Sequence, residues 1–435
     1  MNILIPLETS SRELLYKVYL CQLLALKGFN CYLGKKGSIS YLMKKMRGYI
    51  CLDKGYHEKV SEKLYDQIKE NKGIIINLDE EGAVDYSDNS ILLSRYSEKM
   101  FSKVDFIFLW GKNQHDLVIE KTNQNNRIMV TGHPRFELLK SKYHSFYEEE
   151  VNRINNKYGD FILINTNMGF GNNIRGDNFV INNYESRLKN IQKIIVFDKK
   201  KREIFISLIH KLAKDLDKRI VLRPHPEENI TYYNDEFSEI YNVNVVYEGS
   251  VIPWLIAAEI MIHPDCTTGV ESLLIGKKSI SYLPRNYPCA LVTKLPLEAS
   301  YKFTDQEEVI SFLRNKTYLL EKVNLEEYEF VEESFSFSQD SSQNIVNKIS
   351  QLYNSTDSDR NNDFLLKDSI VLAYKSIRSK IKFSQSVKLG RNKRMGFNYS
   401  QMKTIKQQCN KFNSVFDKVN LRRLSSELFL FHYDQ

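Results

Sequence analysis

Two segments, IVLRPHPEEN at 220–229 and MIHPDCTTGVESLLIGKKSISYLP at 261–284, constrain the fold of this chain more than any other feature. Each belongs to a short apolar run, Ile220, Val221 and Leu222 in the first and Ile260, Met261 and Ile262 in the second, that stops at or just before His-Pro. Proline keeps the residue before it extended, so each histidine sits at a strand end rather than inside a helix. Strands that end where helices begin belong to a parallel α/β sheet, whose carboxyl edge is where ligands bind. Ring nitrogens, hydroxyls and backbone N–H groups gathered at that edge suit a phosphate. A nucleotide site is the expectation that follows.

The alternation starts at once. Ile3 to Leu7 reads as a strand, and Ser10 with Glu13 forms an S-x-x-E capping box opening a helix with Leu14, Val18, Cys21 and Ala25 on one face. Further strands are expected at 31–33, 49–52, 73–78, 104–110 and 127–130, with helical stretches between them, and then at 161–165, 220–222, 243–247, 260–262 and 278–283. Such a pattern implies parallel sheets with helices on both faces. At 435 residues the chain is long enough for two cores. The charge-mixed helical stretch 140–160 and the polar run NSTDSDRNND after Tyr353 divide it into 1–145, 146–353 and 354–435.

Charge is informative once it is located. From Thr356 onward sixteen Lys and Arg face seven Asp and Glu, a net +9 against +8 for the whole chain, so the remainder is close to neutral. Ile370, Tyr374, Ile377 and Ile381, and then Met402, Ile405, Cys409, Phe412 and Phe416, recur at helical spacing, so the extension reads as basic and helical. Such helices either lie on an anionic membrane surface or pack back on the domains with basic outer faces. No nucleic-acid-binding module is present, and nucleic acid is not an expected partner. The six cysteines lie far apart without a C-x-x-C pair, which argues against a disulfide framework or a zinc knot and for a reducing cytoplasm. No signal-peptide pattern opens the chain, and no apolar run approaches the roughly 18 residues of a membrane span.

Three groups of residues could carry chemistry. His133, His225 and His263 precede prolines, and a strand-end histidine held by a backbone hydrogen bond is the plain structural role for one or two of them. His225 is the best functional candidate, with Arg223 before it and Pro226, Glu227 and Glu228 after it. In the second segment, Thr267 and Thr268 offer hydroxyls to a phosphate, Gly269 permits close approach, and Glu271 is placed for ribose hydroxyls. Thr268 and Glu271 equally match a T-x-x-E capping box. The third group is the acidic turn LDEEG, where Asp79, Glu80 and Glu81 follow an apolar strand; crowded carboxylates raise at least one pKa, a simple way to make a base. The turn NTNMGFGNN, with Asn165 and Asn167, would face it across a cleft. No cluster has metal-ligand spacing, so no essential metal and no cofactor are expected.

An acidic pair before glycine, a later His-Pro and a Ser/Thr pair some forty residues on resemble the motifs of bacterial sialyltransferases and of capsule transferases, including Kdo transferases, that use CMP-activated sugars. The wider run, with LWGKNQ and TGHPRFELL, is similar to surface carbohydrate biosynthesis proteins of capsule and O-antigen clusters, over about residues 1 to 350. The resemblance implies a GT-B architecture: two Rossmann-like domains with parallel sheets facing a cleft, the first for the acceptor and the second for the nucleotide sugar. It places Glu80, with Glu81 beside it, as general base, His225 on the CMP phosphate, and Thr267 and Thr268 as the hydroxyl pair. The pair is Thr-Thr here, and an added Asp79 leaves the identity of the base open. The implied activity is transfer of a nonulosonic acid or Kdo from a CMP donor to a glycan or lipid-linked glycan, in the cytoplasm and peripherally at the membrane. Arg223, Lys112 and Asn167 are candidates for the donor carboxylate. Competing readings are a CDP-glycerol or CDP-ribitol transferase, a UDP-sugar enzyme, and a nucleotide-free scaffold of polysaccharide assembly.

Overall fold

The computed structural model describes residues 1–57, 61–80, 82, 89, 92–93, 95–122, 126–185, 188, 190–285, 287–288, 292–353, 368, 370–372, 374 and 397–433. The chain folds around two sheets. The first contains β1 (Asn2–Leu7), β2 (Asn30–Lys35), β3 (Ile50–Asp53), β4 (Ile74–Leu78), β5 (Phe106–Leu109) and β6 (Ile128–Val130), and is completed by β13 (Val419–Ser425) and β14 (Leu428–Tyr433). The second contains β7 (Phe161–Asn165), β8 (Arg219–Arg223), β9 (Val243–Val245), β10 (Ile260–His263), β11 (Ser279–Tyr282) and β12 (Ser300–Phe303). Their orders are β13-β14-β2-β1-β3-β4-β5-β6 and β12-β11-β10-β7-β8-β9. The six strands of the second sheet and β1 to β6 of the first run parallel.

Strand alternation distributes the core. Leu4 joins Ile39, Leu42 and Cys51 on one face of the first sheet, while its neighbours Ile3 and Ile5 join Val18 and Leu24 on the other. In the second sheet Ile162, Ile164, Ile220 and Leu222 face Phe205 and Leu208, whereas Phe161, Leu163 and Val221 face the opposite way. The faces holding Ile3 and Phe161 share one continuous apolar cluster, which includes the linking helix Glu148–Tyr158 through Ile154 and Tyr158. Burying one such side chain contributes about 1.5–3 kcal/mol, so this cluster, and not the caps, sets how the sheets are joined. The first helix, Ser10–Leu26, has Thr9 as N-cap without a side-chain cap bond; Glu13 instead accepts from the N–H groups of Glu8 and Thr9, both at 3.1 Å. The expected box is thus not made: the N-cap falls on Thr9, and only the Glu13 half of the reciprocal pair forms.

Two features depart from the sequence reading. Helices Glu329–Phe335 and Ser341–Tyr353, assigned to the 146–353 unit, pack on helices of the first sheet. Glycines make room for this crossing: a Cβ on Gly111 would stand 2.3 Å from Glu333 O, and Gly132, at φ +71°, faces Ser341. The extension is also not wholly helical. Helix Tyr399–Phe412 exists and lays Phe412 against Tyr143 and Phe146, but the chain then forms the β13–β14 hairpin, pairing antiparallel with β2. Leu428, Phe429 and Phe431 are fully buried there, and the hairpin covers the β2 edge, which would otherwise present unpaired backbone groups. Gly34 admits it, since a Cβ would lie 2.7 Å from Leu428 Cδ1. Ile377 and Ile381, expected on a basic helix, lie outside the described residues. No helix among the described residues is long and apolar enough to cross a membrane.

Candidate active site

A cavity of about 570 Å³ opens between the carboxyl edges of the two sheets. The first sheet contributes Glu8, Thr9 and Arg12 after β1, Lys54 after β3 and Arg135 after β6. The second contributes Asn165 and Thr166 after β7, Arg223 to Glu227 with and after β8, Tyr247 after β9, and Thr267, Thr268 and Glu271 after β10. Arg12, Lys54, Arg135, Arg175 and Arg223 bring five cations to the wall, against three carboxylates, Glu8, Glu227 and Glu271. An anion is the natural occupant.

The turn after β8 is held from beneath. Glu228 is fully buried and accepts from Thr166 Oγ1 at 2.7 Å, Met168 N at 2.9 Å, His225 N at 3.2 Å and the Tyr233 hydroxyl at 2.5 Å. Burial pushes its pKa above the usual carboxylate value in spite of these donors. The His225 ring is thereby fixed at the cavity wall, where Nδ1 accepts from Glu227 N at 3.3 Å, so the neutral imidazole carries its proton on Nε2. Pro226 lines the wall beside it. Arg223 is 7% exposed, donates to Glu248 O at 2.6 Å and lies over the Trp254 ring. Burial pushes its pKa down to about 10, so it braces the loop after β9 as much as it faces the cavity.

The turn after β10 is built the other way round. His263, expected in the nucleotide site, does not line the cavity: it is fully buried, with Nε2 at 3.1 Å from Ser279 Oγ and 2.9 Å from Ser300 Oγ. Its Nδ1 accepts from Cys266 N at 3.2 Å, and burial pushes the imidazole down to about 4. It is the strand-end histidine with a structural role, fixing the turn that carries Thr267 and Thr268 into the cavity. Gly269 is required there, because a Cβ would stand 2.4 Å from His263 Nε2. The T-x-x-E box is not made: Thr267 is the N-cap of helix Thr268–Leu274, without a side-chain cap bond. Glu271 instead reaches across the cavity to Arg135, Oε1 to Nη2 at 2.9 Å. Asn165 lines the cavity, but Asn167 faces a separate space of about 80 Å³ beside Asp198, Lys201 and Asp265, and donates to Asp265 at 2.7 Å. Its placement as a donor-contacting residue is corrected accordingly.

The acidic turn is withdrawn from the cavity. Asp79 is tied to Tyr96 Oη at 2.7 Å, Gln114 Nε2 at 2.6 Å and Arg95 at 3.1 Å, and so braces the first sheet. Glu80 is 4% exposed and hydrogen-bonded to the Tyr16 hydroxyl, with Lys17 Nζ at 3.9 Å and His133 Nε2 at 3.8 Å. Neither Asp79 nor Glu80 lines the cavity wall: although β4 ends at the same edge as β3, both carboxylates are engaged within the first unit, Asp79 by Tyr96, Gln114 and Arg95 and Glu80 by Tyr16. Glu81 lies outside the described residues. The first-sheet carboxylate that does line the wall is Glu8, whose burial opposes ionisation and whose pKa the Lys54 ammonium nonetheless draws below the usual value. Lys112, considered for a donor carboxylate, lies away from the cavity, paired with Asp116 at 2.5 Å. Sequence reading missed Glu8, Arg12, Tyr16, Lys54 and Arg135; of these only Arg135, next to a His-Pro, carried a visible signal. Among the described residues no group of three His, Cys, Asp or Glu is placed to hold a metal ion.

No family model matches the chain, and no curated protein sequence matches it. Solved structures do. The UDP-GlcNAc 2-epimerase of Methanocaldococcus jannaschii, in complex with UDP-GlcNAc and UDP, aligns at a TM-score of 0.51 and 12% identity, over 81% of this chain and 100% of that one. The wall teichoic acid polymerase TagF aligns at 0.51 and 12%, over 82% of this chain and 90% of that one. At such identity the likeness is one of fold, and the fold is GT-B: two Rossmann-like units with their carboxyl edges facing one cleft.

Proposed function

We propose that this protein is a glycosyltransferase whose cleft binds the phosphate of a CMP-activated nonulosonic acid or Kdo and transfers that sugar to a surface polysaccharide acceptor, a glycan or a lipid-linked glycan. One observation carries the reading: the RPHP turn and the Thr267–Thr268 turn, forty residues apart, meet in one cationic cavity at a GT-B cleft. In the reaction the bond between the anomeric carbon and the phosphate oxygen breaks, CMP leaves with the electron pair, and an acceptor oxygen bonds to that carbon. Catalysis requires charge stabilisation on the departing phosphate and removal of the acceptor's proton. His225 Nε2–H and the hydroxyls of Thr267 and Thr268 serve the first need, with Arg12, Lys54, Arg135 and Arg175 for the phosphate and the sugar's own carboxylate. Glu271 is the candidate for the ribose hydroxyls. Glu80 serves the second need, although it stands behind Tyr16. The domains divide the work at about 1–145 for acceptor and 146–353 for donor, with helices Glu329–Phe335 and Ser341–Tyr353 of the latter packed back on the first unit, and the basic extension 354–435 is the candidate contact with anionic membrane, testable by vesicle co-sedimentation. No cofactor or essential metal enters this reading.

A second reading, transfer of an alditol phosphate from a CDP donor, is favoured by the excess of cations on the wall, which suits a diphosphate as well as a single phosphate. A thermal-shift screen with CMP, CDP and UDP is the test, since a ligand at about 100 times its Kd stabilises the fold by about 2.7 kcal/mol. Stabilisation by CMP together with turnover of CMP-N-acetylneuraminate or CMP-Kdo supports the first reading. Turnover of CDP-glycerol selects the second. No response to any cytidine nucleotide returns the protein to the scaffold class.

A further inference from the structure

We propose that Tyr16 receives the acceptor's proton and passes its own to Glu80, an inference that rests on the transferase reading above. A second cavity of about 400 Å³ adjoins the donor cleft, with Ser11, Arg12, Arg135 and Ile252 common to both walls. Because it shares that wall with the donor cavity, it is the natural place for the acceptor. Tyr16, only 2% exposed, is among the residues behind its wall, and Glu80 lines neither cavity. Any proton that Glu80 takes from a bound acceptor must therefore cross an intervening group.

The Tyr16 hydroxyl is already hydrogen-bonded to Glu80 Oε1. Lys17 places its ammonium 3.9 Å from the same oxygen while bound to Glu13 at 2.7 Å and to Pro6 O at 2.8 Å, so its position is fixed. On the other side Glu80 Oε2 faces His133 Nε2 at 3.8 Å, and neither atom has a hydrogen-bond partner among the described residues. A purely structural carboxylate at this depth would be expected to fill both oxygens. Burial, with the charges of Glu80 and Glu13 added and Arg12 opposing, holds the phenol's pKa well above its ordinary value. Tyr16 thus cannot act as a base by itself; it can take a proton only while giving one up. His133 is kept neutral by burial, with Arg135, Lys17 and Arg12 adding to the effect, so no imidazolium competes for the carboxylate.

The step balances. As the donor's anomeric carbon loses the phosphate oxygen and gains the acceptor oxygen, the acceptor's proton moves to Tyr16 Oη and the phenol's proton moves to Glu80 Oε1. Glu80 is left as a carboxylic acid, and its proton returns through Tyr16 to water after product leaves. Tyr16 is catalytic in this scheme and Glu80 acts through it.

The test uses the full chain, with release of nucleotide from CMP-N-acetylneuraminate, CMP-Kdo and CDP-glycerol, water standing in as acceptor. Tyr16→Phe, which keeps the ring, and Glu80→Gln are each expected to slow release about 100-fold or more. Their CMP affinity should remain within about twofold of wild type, and the double variant should be no slower than the slower single one. Release by Tyr16→Phe within about threefold of wild type, with CMP binding intact, would overturn the relay and leave the transferase reading standing. So would effects of the two changes that multiply, or loss of activity in Glu8→Gln while Tyr16→Phe stays active. A wild-type protein that binds none of CMP, CDP and UDP, or turns over none of the three donors, overturns both.

Discussion

The turns after β8 and β10 begin alike and finish as opposites. Both end an apolar strand, both carry His-Pro, and both flank β7 in the second sheet. After β8 the imidazole of His225 reaches the cavity and a carboxylate, Glu228, is buried beneath it to hold the loop. After β10 the imidazole of His263 is buried beneath, and the carboxylate of Glu271 reaches the cavity with two threonine hydroxyls. In each turn the histidine and the glutamate take opposite places, one beneath the turn and the other at the cleft. The same dipeptide therefore has no fixed role; what decides is whether polar partners wait behind the strand end, as Ser279 and Ser300 do for His263.

The largest effect that could break this comparison is on turnover. His225→Ala is expected to lower donor turnover by about 10²–10³-fold, the loss typical for one preorganised donor to developing charge, with the melting temperature nearly unchanged. Nucleotide release from the three donors measures it. Near-normal release would make the two histidines equivalent scaffolding and end the distinction.

For the turn after β10 the expected loss is one of stability. His263→Ala removes the ring contacts with Ser279, Ser300 and Cys266 N and leaves a cavity, a cost of about 2–4 kcal/mol by denaturant unfolding. Gly269→Ala, which drives a methyl at the same ring, should cost about 1–3 kcal/mol. Either protein, where folded, should still bind CMP. An unchanged urea midpoint in His263→Ala would mean the ring is not what holds Thr267 and Thr268 in place.

Acidification separates the turns further, because their buried groups shift in opposite senses. The folded His263 pKa, about 4, lies below the ordinary histidine value, so the unfolded chain binds more protons between the two. Its contribution is whole above about pH 6.5 and is lost as pH falls towards about 4, about 1–3 kcal/mol in all. Glu228, raised by burial, has the contrary sign: its contribution is whole below the usual carboxylate value and is lost as pH rises through its folded pKa. Urea midpoints from pH 7 to 4 should fall less steeply in His263→Asn and more steeply in Glu228→Gln than in the wild type. Parallel curves for all three would refute the assignment of these groups.

Much of the fold could be read from the chain because strand ends announced themselves. Runs such as Phe161 to Ile164 and Ile260 to Ile262 are apolar throughout, as buried parallel strands are. The hairpin 419–433 escaped because Arg422 and Arg423 and the helix before it made the extension read as one basic helical unit, though Val419, Leu421 and Phe429, Phe431 alternate with period two. The second-sheet half of the cleft was legible because its residues follow strand ends in His-Pro and Thr-Thr patterns that point to a phosphate. The first-sheet half was not. Glu8 and Lys54 also follow strand ends, but as single charges without such a pattern, while Asp79 and Glu80 of the conspicuous acidic run are engaged away from the cavity. A run of carboxylates marks a turn, and burial alone decides whether it faces a ligand.

The smallest expected effect concerns the contact that joins the two halves, Arg135 to Glu271 at 2.9 Å. Arg135→Gln removes one of five wall cations, which should weaken CMP binding, and also releases Glu271 to meet ribose hydroxyls, which should strengthen it. These oppose each other, so the Kd for CMP should stay within about threefold of wild type, less than 1 kcal/mol. Loss of the partly buried pair should still lower the melting temperature by a few degrees, since the remaining carboxylate keeps a charge without its partner. Salt resolves the two contributions: the variant's CMP affinity should fall less between about 0.05 and 0.5 M NaCl than the wild type's, because one phosphate-facing cation is gone. A loss of more than about thirtyfold would show that Arg135 is a principal phosphate ligand, and that the first sheet supplies recognition which the two turns of the second were thought to provide.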